Sequence, residues 1–199
     1  MEFLSVVMGI CLSAACGFRI FVPFLIMSVA AMNGYIKPAA GFEWIGTYPA
    51  LICFSVATIA EILAYLVPVV DNFLDTIASP CAVVAGIILA SSCISGLDPY
   101  MKWTLAIIAG GAAAGATQTA TSAARIASTA GTGGFLNSVI SVFEAVISTL
   151  LSIAAIFFPL ICLVIVIVFV IYAFALLKKK KAAAPLEDKK QLANGSMQP

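Results

Sequence analysis

Long apolar segments, separated by short breaks rich in Gly, Pro, Asn and Ser, occupy most of the first 177 residues. A helix that crosses a membrane needs about 20 apolar residues. The pattern predicts six such helices, at Phe3–Met32, Ile45–Val67, Ile77–Ile94, Tyr100–Ala124, Ser138–Phe158 and Pro159–Leu177. The predicted fold class is therefore all-α, a polytopic membrane helix bundle of five or six transmembrane helices.

The number of spans depends on the last two segments. Ser138–Leu177 is almost unbroken apolar sequence, and as one helix it would be about 60 Å long. The chain either turns at Phe158–Pro159, which gives six spans, or continues as one long kinked helix, which gives five. Lys178–Lys181 directly follow, and the positive-inside rule places them in the cytoplasm. With six spans the N-terminus is also cytoplasmic.

These segments define the expected domains and location. Residues 1–177 form one transmembrane helical domain, in which 1–96 and 97–177 are candidate inverted three-helix repeats, and 178–199 form a basic, disordered cytoplasmic tail. The start of the chain lacks the basic region of a cleavable signal, so the first apolar segment is expected to stay as a membrane helix. The expected location is the bacterial inner membrane, multi-pass.

Composition supports a membrane environment and excludes several functions. Hydrophobic residues make up 63% of the chain and charged residues 10%, whereas soluble domains are about 45–50% apolar and about 25% charged. The net charge of +1 gives no bias toward nucleic acid. There is no His, and the six Cys form no CxxC pair, so we expect no metal and no cofactor. The expected partners are the lipid bilayer and an unknown small solute or ion.

Charged side chains inside these segments are the main candidates for function, because each costs at least about 2.5–3.5 kcal/mol at the membrane centre. They are Arg19, Glu61, Arg125 and Glu144, with Asp71 and Asp75 just beyond Pro68. The excess of carboxylates favours a functional role. The alternative is that Arg–Glu pairs merely hold helices together. The pseudo-symmetry of the two halves suggests that Arg19 contacts Glu144.

The fourth segment has a polar stripe. Its members recur at three- and four-residue steps, which places them on one helical face, and they are Gln118, Ser122, Arg125 and Thr129. Small residues that allow close helix packing are Gly17, Gly111 and Gly115. Thr129–Asn137 is expected to break the helix, with Asn137 or Ser138 as the next N-cap. This break is either an anion site beside Arg125 or a plain turn.

The two halves share a loose order of features. Each has a polar helix with one Arg, then an apolar helix with one Glu, then a further apolar segment. In the first half Pro23 is expected to kink or interrupt the helix that contains Arg19. Inverted repeats with broken helices near the midplane are typical of secondary transporters.

Three stretches resemble a bacterial membrane family defined only as domain-of-unknown-function family 4126. They are Ala14–Pro23 with its GFR-x-F-x-P pattern, Glu61–Asp75 with P-x-x-D-x-x-x-D, and Ala124–Arg125 followed by Asn137–Glu144. The resemblance covers roughly residues 5–175. It implies a shared fold and a set of important positions, and it supplies no substrate. Family members often have Glu-Asp where this chain has Glu144–Ala145.

These features favour a small transporter or exchanger. Arg19 and Arg125 would bind an anionic group, including a lipid phosphate, and the buried acids would bind a coupling proton or cation. The first alternative is a channel-like pore, for which the small-residue faces would allow a homo-oligomer. The second is a non-transport scaffold or assembly protein with structural Arg–Glu pairs. An enzyme is the least favoured class, because no recognisable catalytic constellation is present.

Overall fold

The computed structural model describes residues 2–65, 68–132 and 136–175, and this part of the chain is α-helical without β-strands. The helices are α1 (Glu2–Cys16), α2 (Phe21–Met32), α3 (Tyr48–Ala64), α4 (Pro68–Cys93), α5 (Pro99–Leu105), α6 (Gly111–Thr132), α7 (Asn137–Phe157) and α8 (Pro159–Ala175). A short 3-10 helix precedes α3, and a π-helical turn joins α5 to α6. The all-α prediction is confirmed, while the predicted tail, 178–199, lies outside the described residues.

The first predicted span is wrong as a single helix, because α1 and α2 fold back on each other as an N-terminal hairpin. The Oγ of Ser5 accepts a hydrogen bond from the backbone N–H of Ser95 at 3.4 Å. The N–H of Ala39, beyond α2, donates to the carbonyl of Ser92 at 2.8 Å. Both outer ends of the hairpin therefore lie beside the C-terminal end of α4. The break falls at residues 17–20, and Pro23 lies in the first turn of α2 instead of interrupting a helix.

The last two helices form a second hairpin, the C-terminal hairpin, so of the two alternatives left by the sequence the chain turns at Phe158. The Sγ of Cys162 lies 3.6 Å from the carbonyl oxygen of Leu151, so α8 returns along α7. Further along α8, the ring of Phe169 lies 5.3 Å from the ring of Phe18. The single 40-residue helix considered above is therefore excluded.

The bundle has two ends that the connections define. The near end contains Glu2, the connections 33–47 and 94–98, and Phe158; the far end contains the C-terminal ends of α3, α6 and α8 and the start of α7. A helix of 15 residues is about 22 Å long, so the connection of the N-terminal hairpin lies deep between the two ends. After that hairpin the chain runs through the bundle with α3, α4, α5–α6, α7 and α8 in alternating directions.

Several predicted boundaries are corrected. α4 begins at Pro68, not at Ile77, because proline suits the first position of a helix, so Asp71 is not an N-cap. α6 continues to Thr132, so the helix does not break at Thr129 as predicted. α7 begins at Asn137, and Leu136 at its N-cap position makes no side-chain cap. The predicted cap by Asn137 or Ser138 is therefore wrong.

Close packing of α1, α4 and α6 depends on glycines. A Cβ added to Gly17 would lie 2.5 Å from the carbonyl oxygen of Ala114. A Cβ added to Gly86 would lie 2.5 Å from the Cβ of Ala114. A Cβ on Gly111 or Gly115 would meet only side-chain methyl or methylene groups, at 3.2 Å. Gly17 therefore lies at the tightest part of this contact, whereas Gly111 and Gly115 lie at a looser part.

Two helical stretches within the described residues are long and apolar enough to cross a membrane, judged by length and composition. They are Thr76–Cys93, half of it buried inside the protein, and Asn137–Phe157, 28% buried. The apolar helices α1, α2, α3 and α8 are shorter. α6 is less apolar, because Thr, Ser, Gln and Arg are frequent in it.

Candidate functional site

Arg19 lies in the connection of the N-terminal hairpin and is 1% exposed. Its Nη2 donates to the carbonyl of Ser141 at 3.0 Å and to the hydroxyl of the same residue. The same atom lies 3.5 Å from Oε2 of Glu144. Its Nε and Nη1 have no hydrogen-bond partner in the described part of the chain. A buried guanidinium with two unused donors is costly, so it requires an explanation.

Arg125 on α6 makes the stronger pair with Glu144 on α7. Its Nε donates to Oε1 at 3.2 Å, and its Nη2 donates to Oε2. This fork-to-fork geometry is the strong form of an Arg–carboxylate pair. Glu144 therefore joins both arginines, and the Arg19–Glu144 contact that pseudo-symmetry suggested is present. All three residues are buried.

Tyr65 contacts both cations. The Cζ atoms of Arg19 and Arg125 lie 4.0 Å and 4.3 Å from the centre of its ring, which is cation–π geometry. Tyr65 is 7% exposed and lies at the C-cap of α3, one turn after Glu61. Sequence analysis missed Tyr65, although its four-residue spacing from a predicted site residue was an available signal.

Glu61 contacts the start of α2. Its Oε1 accepts from the N–H of Ile20 at 2.8 Å, and its Oε2 accepts from the N–H of Phe21 at 3.0 Å. These are free donors at a helix N-terminus, where a negative charge is also stabilised by the helix dipole. Glu61 is half-buried, in contrast to Arg19 and Glu144.

A polar stripe on α7 completes the site. All its members are buried at steps of three or four residues, and they are Asn137, Ser141, Glu144, Ser148 and Ser152. The hydroxyl of Ser148 donates to the carbonyl of Ala15 at 3.0 Å, so the stripe faces α1. The sequence analysis found the stripe on α6 and missed this one, although the spacing of its serines was visible.

The stretch 6–179 matches the model of a protein family described as "Domain of unknown function (DUF4126)". The chain belongs to this family. Comparison with curated proteins finds no match, and comparison with solved structures finds none either. The DUF4126 match contains all four charged residues of the site, and it confirms the family resemblance noted in the sequence.

The structure of this DUF4126 protein brings together four of the predicted site residues and separates two others. Arg19, Glu61, Arg125 and Glu144 form one cluster, in which the two guanidinium charges balance the two carboxylates. Gln118 and Ser122 lie one to two turns further toward the near end and bond to each other at 3.3 Å. Asp71 and Asp75 lie in the first two turns of α4, and their side chains are outside the described residues.

The polar groups of this DUF4126 site are two guanidinium groups, two carboxylates and the hydroxyl of Ser141. The described residues hold no group of three or more Cys, Asp or Glu side chains suited to a metal. All six cysteines are free thiols, and four of them are buried. A separate cleft of about 630 Å³ at the near end contains Lys37, Glu43 and Lys102, and it shares no residue with the arginine cluster.

Proposed function

We propose that this protein is a polytopic membrane carrier that binds a small oxyanion at Arg19 and moves it across the bilayer. One observation supports this proposal above the others: Arg19 is 1% exposed, yet its Nε and Nη1 lack partners in the described residues. A guanidinium presents its N–H groups in a fork that matches carboxylate, phosphate or sulfate oxygens. Nε and Nη1 lie on different edges of the guanidinium, so a small oxyanion would satisfy one of these two donors.

Apolar surface supports the membrane part of the proposal. α3 exposes one continuous row at steps of three and four residues: Ile52, Val56, Ile59 and Leu63, each at least 57% exposed. Exposed apolar rows of this length mark contact with lipid or another protein. At the near end the exposed Tyr and Trp side chains are Tyr35, Trp44, Tyr48, Tyr100 and Trp103. Such a belt is typical of a membrane–water interface.

The topology that follows is five crossings and one re-entrant hairpin. The crossings are α3, α4, α5–α6, α7 and α8, and the N-terminal hairpin enters from the near end and returns to it. The chain passes from α8 toward Lys178–Lys181, and the positive-inside rule makes the far end cytoplasmic. The near end, with Glu2, is then on the opposite side. This replaces the expectation that both termini are cytoplasmic.

The re-entrant hairpin supports a transport site. Non-helical backbone at membrane depth occurs only where protein buries it or where it lines a cavity. Broken helices whose ends meet charged groups are the usual sites of secondary transporters. Here the break lies at residues 17–20, beside Arg19. Arg125 and Glu144 hold each other, and they position Arg19 through Glu144.

Flux measurements in proteoliposomes test the proposal. Uptake of labelled sulfate and labelled phosphate is measured under inward gradients, with a trapped pH dye to record proton movement. In a parallel arm, vesicles contain fluorescent phosphatidylglycerol, and dithionite reports its transfer between leaflets. Wild-type flux in the first arm identifies a soluble oxyanion, and flux in the second identifies a lipid headgroup.

Two matched variants separate transport from scaffolding. Arg19→Gln is expected to reduce flux about tenfold or more, the equivalent of about 1.4 kcal/mol, and to remain folded because Glu144 keeps Arg125. Arg125→Gln is expected to cost about 3–5 kcal/mol of stability, because it breaks a buried pair. Exposed Lys37→Gln is the control. Absence of flux in both arms, or flux that Arg19→Gln leaves intact, would contradict the proposal and favour the scaffold.

A further inference from the structure

The start of α2 lacks an ordinary cap. α3 is capped by the hydroxyl of Thr47 and α5 by the carboxylate of Asp98, each next to its own helix. At the N-cap position of α2 lies Ile20, whose side chain makes no cap hydrogen bond. The N–H groups of Ile20 and Phe21 donate instead to the carboxylate of Glu61, which is 41 and 40 residues away in sequence.

The Glu61 carboxylate therefore occupies a place built for an anion. It has two oxygens and one negative charge, which is also the chemistry of an oxyanion substrate. Arg19, which directly precedes Ile20 in the chain, is buried and has two unused N–H donors in the described structure. A helix N-terminus beside a guanidinium is a favourable site for any oxyanion. Glu61 is half-buried, so its side chain has room to leave.

We propose that Glu61 is a built-in competitor that holds the α2 N–H groups until the substrate oxyanion displaces it. This inference rests on the proposed function and adds how the site is loaded. The displaced carboxylate takes a proton from solvent. The oxyanion and one proton then enter together, and the net charge of the site is unchanged when the oxyanion is singly charged; with sulfate the site gains one negative charge. The carrier would thus be an oxyanion–proton cotransporter.

The charged and titratable groups around Glu61 are consistent with this exchange. In the described residues they are Arg19 on the hairpin connection, Glu144 on α7 and the Cys16 thiol at the end of α1, with Tyr65 one turn further along α3. Glu144 is already held by two arginines. Glu61 is held by Ile20 and Phe21 amides, which a second anion can bind equally well.

Binding measurements with the full chain in detergent test the inference. Sulfate is the soluble probe, because its charge is constant between pH 5.5 and pH 8, and short-chain phosphatidylglycerol is the lipid probe. Titration calorimetry compares wild type, Glu61→Gln, Glu61→Asp and Arg19→Gln. Glu43→Gln is the matched control, since Glu43 also accepts a backbone N–H, that of Gly41, but lies exposed at the near end.

The competitor predicts a gain of affinity on mutation. Wild type should bind the probe more weakly as pH rises, because the ionised carboxylate competes better. Glu61→Gln should bind the probe about tenfold tighter at pH 7.5, because it removes a competitor that holds the site about nine-tenths of the time. Its affinity should no longer depend on pH. Glu61→Asp, which is too short to reach both amides, should bind tighter than wild type and keep some pH dependence.

The outcomes distinguish the two proposals. If Glu61→Gln and Glu61→Asp bind the probe no tighter than wild type while Arg19→Gln abolishes binding, Glu61 is only a cap and the carrier function stands. If Glu61→Gln does not fold, Glu61→Asp decides the same question. If neither probe shows binding that depends on Arg19 in wild type or in the Glu61 variants, the proposed function itself is wrong.

Discussion

The two hairpins of this protein differ in a way that hydropathy does not show. In the N-terminal hairpin the last six residues of α1, from Cys11 to Cys16, are all buried, so this part of the helix is surrounded by protein. In the C-terminal hairpin α8 buries Cys162 and Val166, and most of its other residues are exposed. The N-terminal hairpin is enclosed by other helices and contains Arg19 of the candidate site. α8 of the C-terminal hairpin lies on the outside of the bundle.

The residue types inside the apolar segments explain the difference. The buried part of α1 consists of Cys, Leu, Ser and Ala, which lets neighbouring helices approach closely. α8 is rich in Val, Ile and Phe, which suit contact with lipid. Both segments are apolar on average, but only the first has the small residues of a tightly packed interior.

The largest expected effect is in thiol labelling of single cysteines, each of which should react either fully or not at all from one side of the membrane. Single cysteines at Glu2, Lys37, Leu136 or Phe158 are introduced into a variant whose six native cysteines are alanine. In spheroplasts of a bacterial host, a membrane-impermeant thiol reagent should label the first two and position 158 from outside. Position 136 should react only after lysis. Labelling of Glu2→Cys and Lys37→Cys from opposite sides would show that the N-terminal hairpin crosses the membrane.

Sequence patterns predicted the helical class and the four charges of the cluster, because each depends on local composition, and they left the turn at Phe158 as one of two alternatives. The hairpin at residues 17–20 was not predictable from hydropathy, because a helical hairpin and one long helix have the same apolar content. The breaking signal was Gly17 with Arg19, and analysis of the sequence placed the break at Pro23 instead. Tyr65 and Ser141 were missed, although Tyr65 lies four residues after Glu61 and Ser141 three residues before Glu144.

The next effect concerns the tight contact of the N-terminal hairpin. Gly17→Ala is expected to cost about 1–3 kcal/mol, because its Cβ would press on backbone atoms of Ala114 and Gln118. Gly131→Ala is the control, since a Cβ there meets nothing within 4 Å. Thermal unfolding followed by circular dichroism should show a lower melting temperature for the first variant alone. Equal melting temperatures would mean that the hairpin is not packed against α6 as described.

The smallest expected effect lies where the two hairpins touch each other. The rings of Phe18 and Phe169 are 5.3 Å apart and tilted by 50°, an arrangement worth about 0.5–1.5 kcal/mol beyond the buried area. A double-mutant cycle with Phe18→Leu and Phe169→Leu should give a coupling free energy in that range. The matched cycle uses Phe24 and Phe54, whose rings are 5.2 Å apart between α2 and α3.

The Phe18–Phe169 contact either stabilises the position of Arg19 or only packs α8 against the bundle, and binding measurements distinguish the two. Phe18 directly precedes Arg19. The ring contact between Phe169 and Phe18 therefore joins α8 to the segment that contains Arg19. If α8 stabilises the position of Arg19 through Phe18, Phe169→Leu should weaken sulfate binding and Phe54→Leu should weaken it less. If both variants bind alike, or if the Phe18–Phe169 coupling is within about 0.3 kcal/mol of zero, the C-terminal hairpin only encloses the bundle. The difference between the two hairpins would then extend to function, with the site confined to the N-terminal hairpin and its partners on α3, α6 and α7.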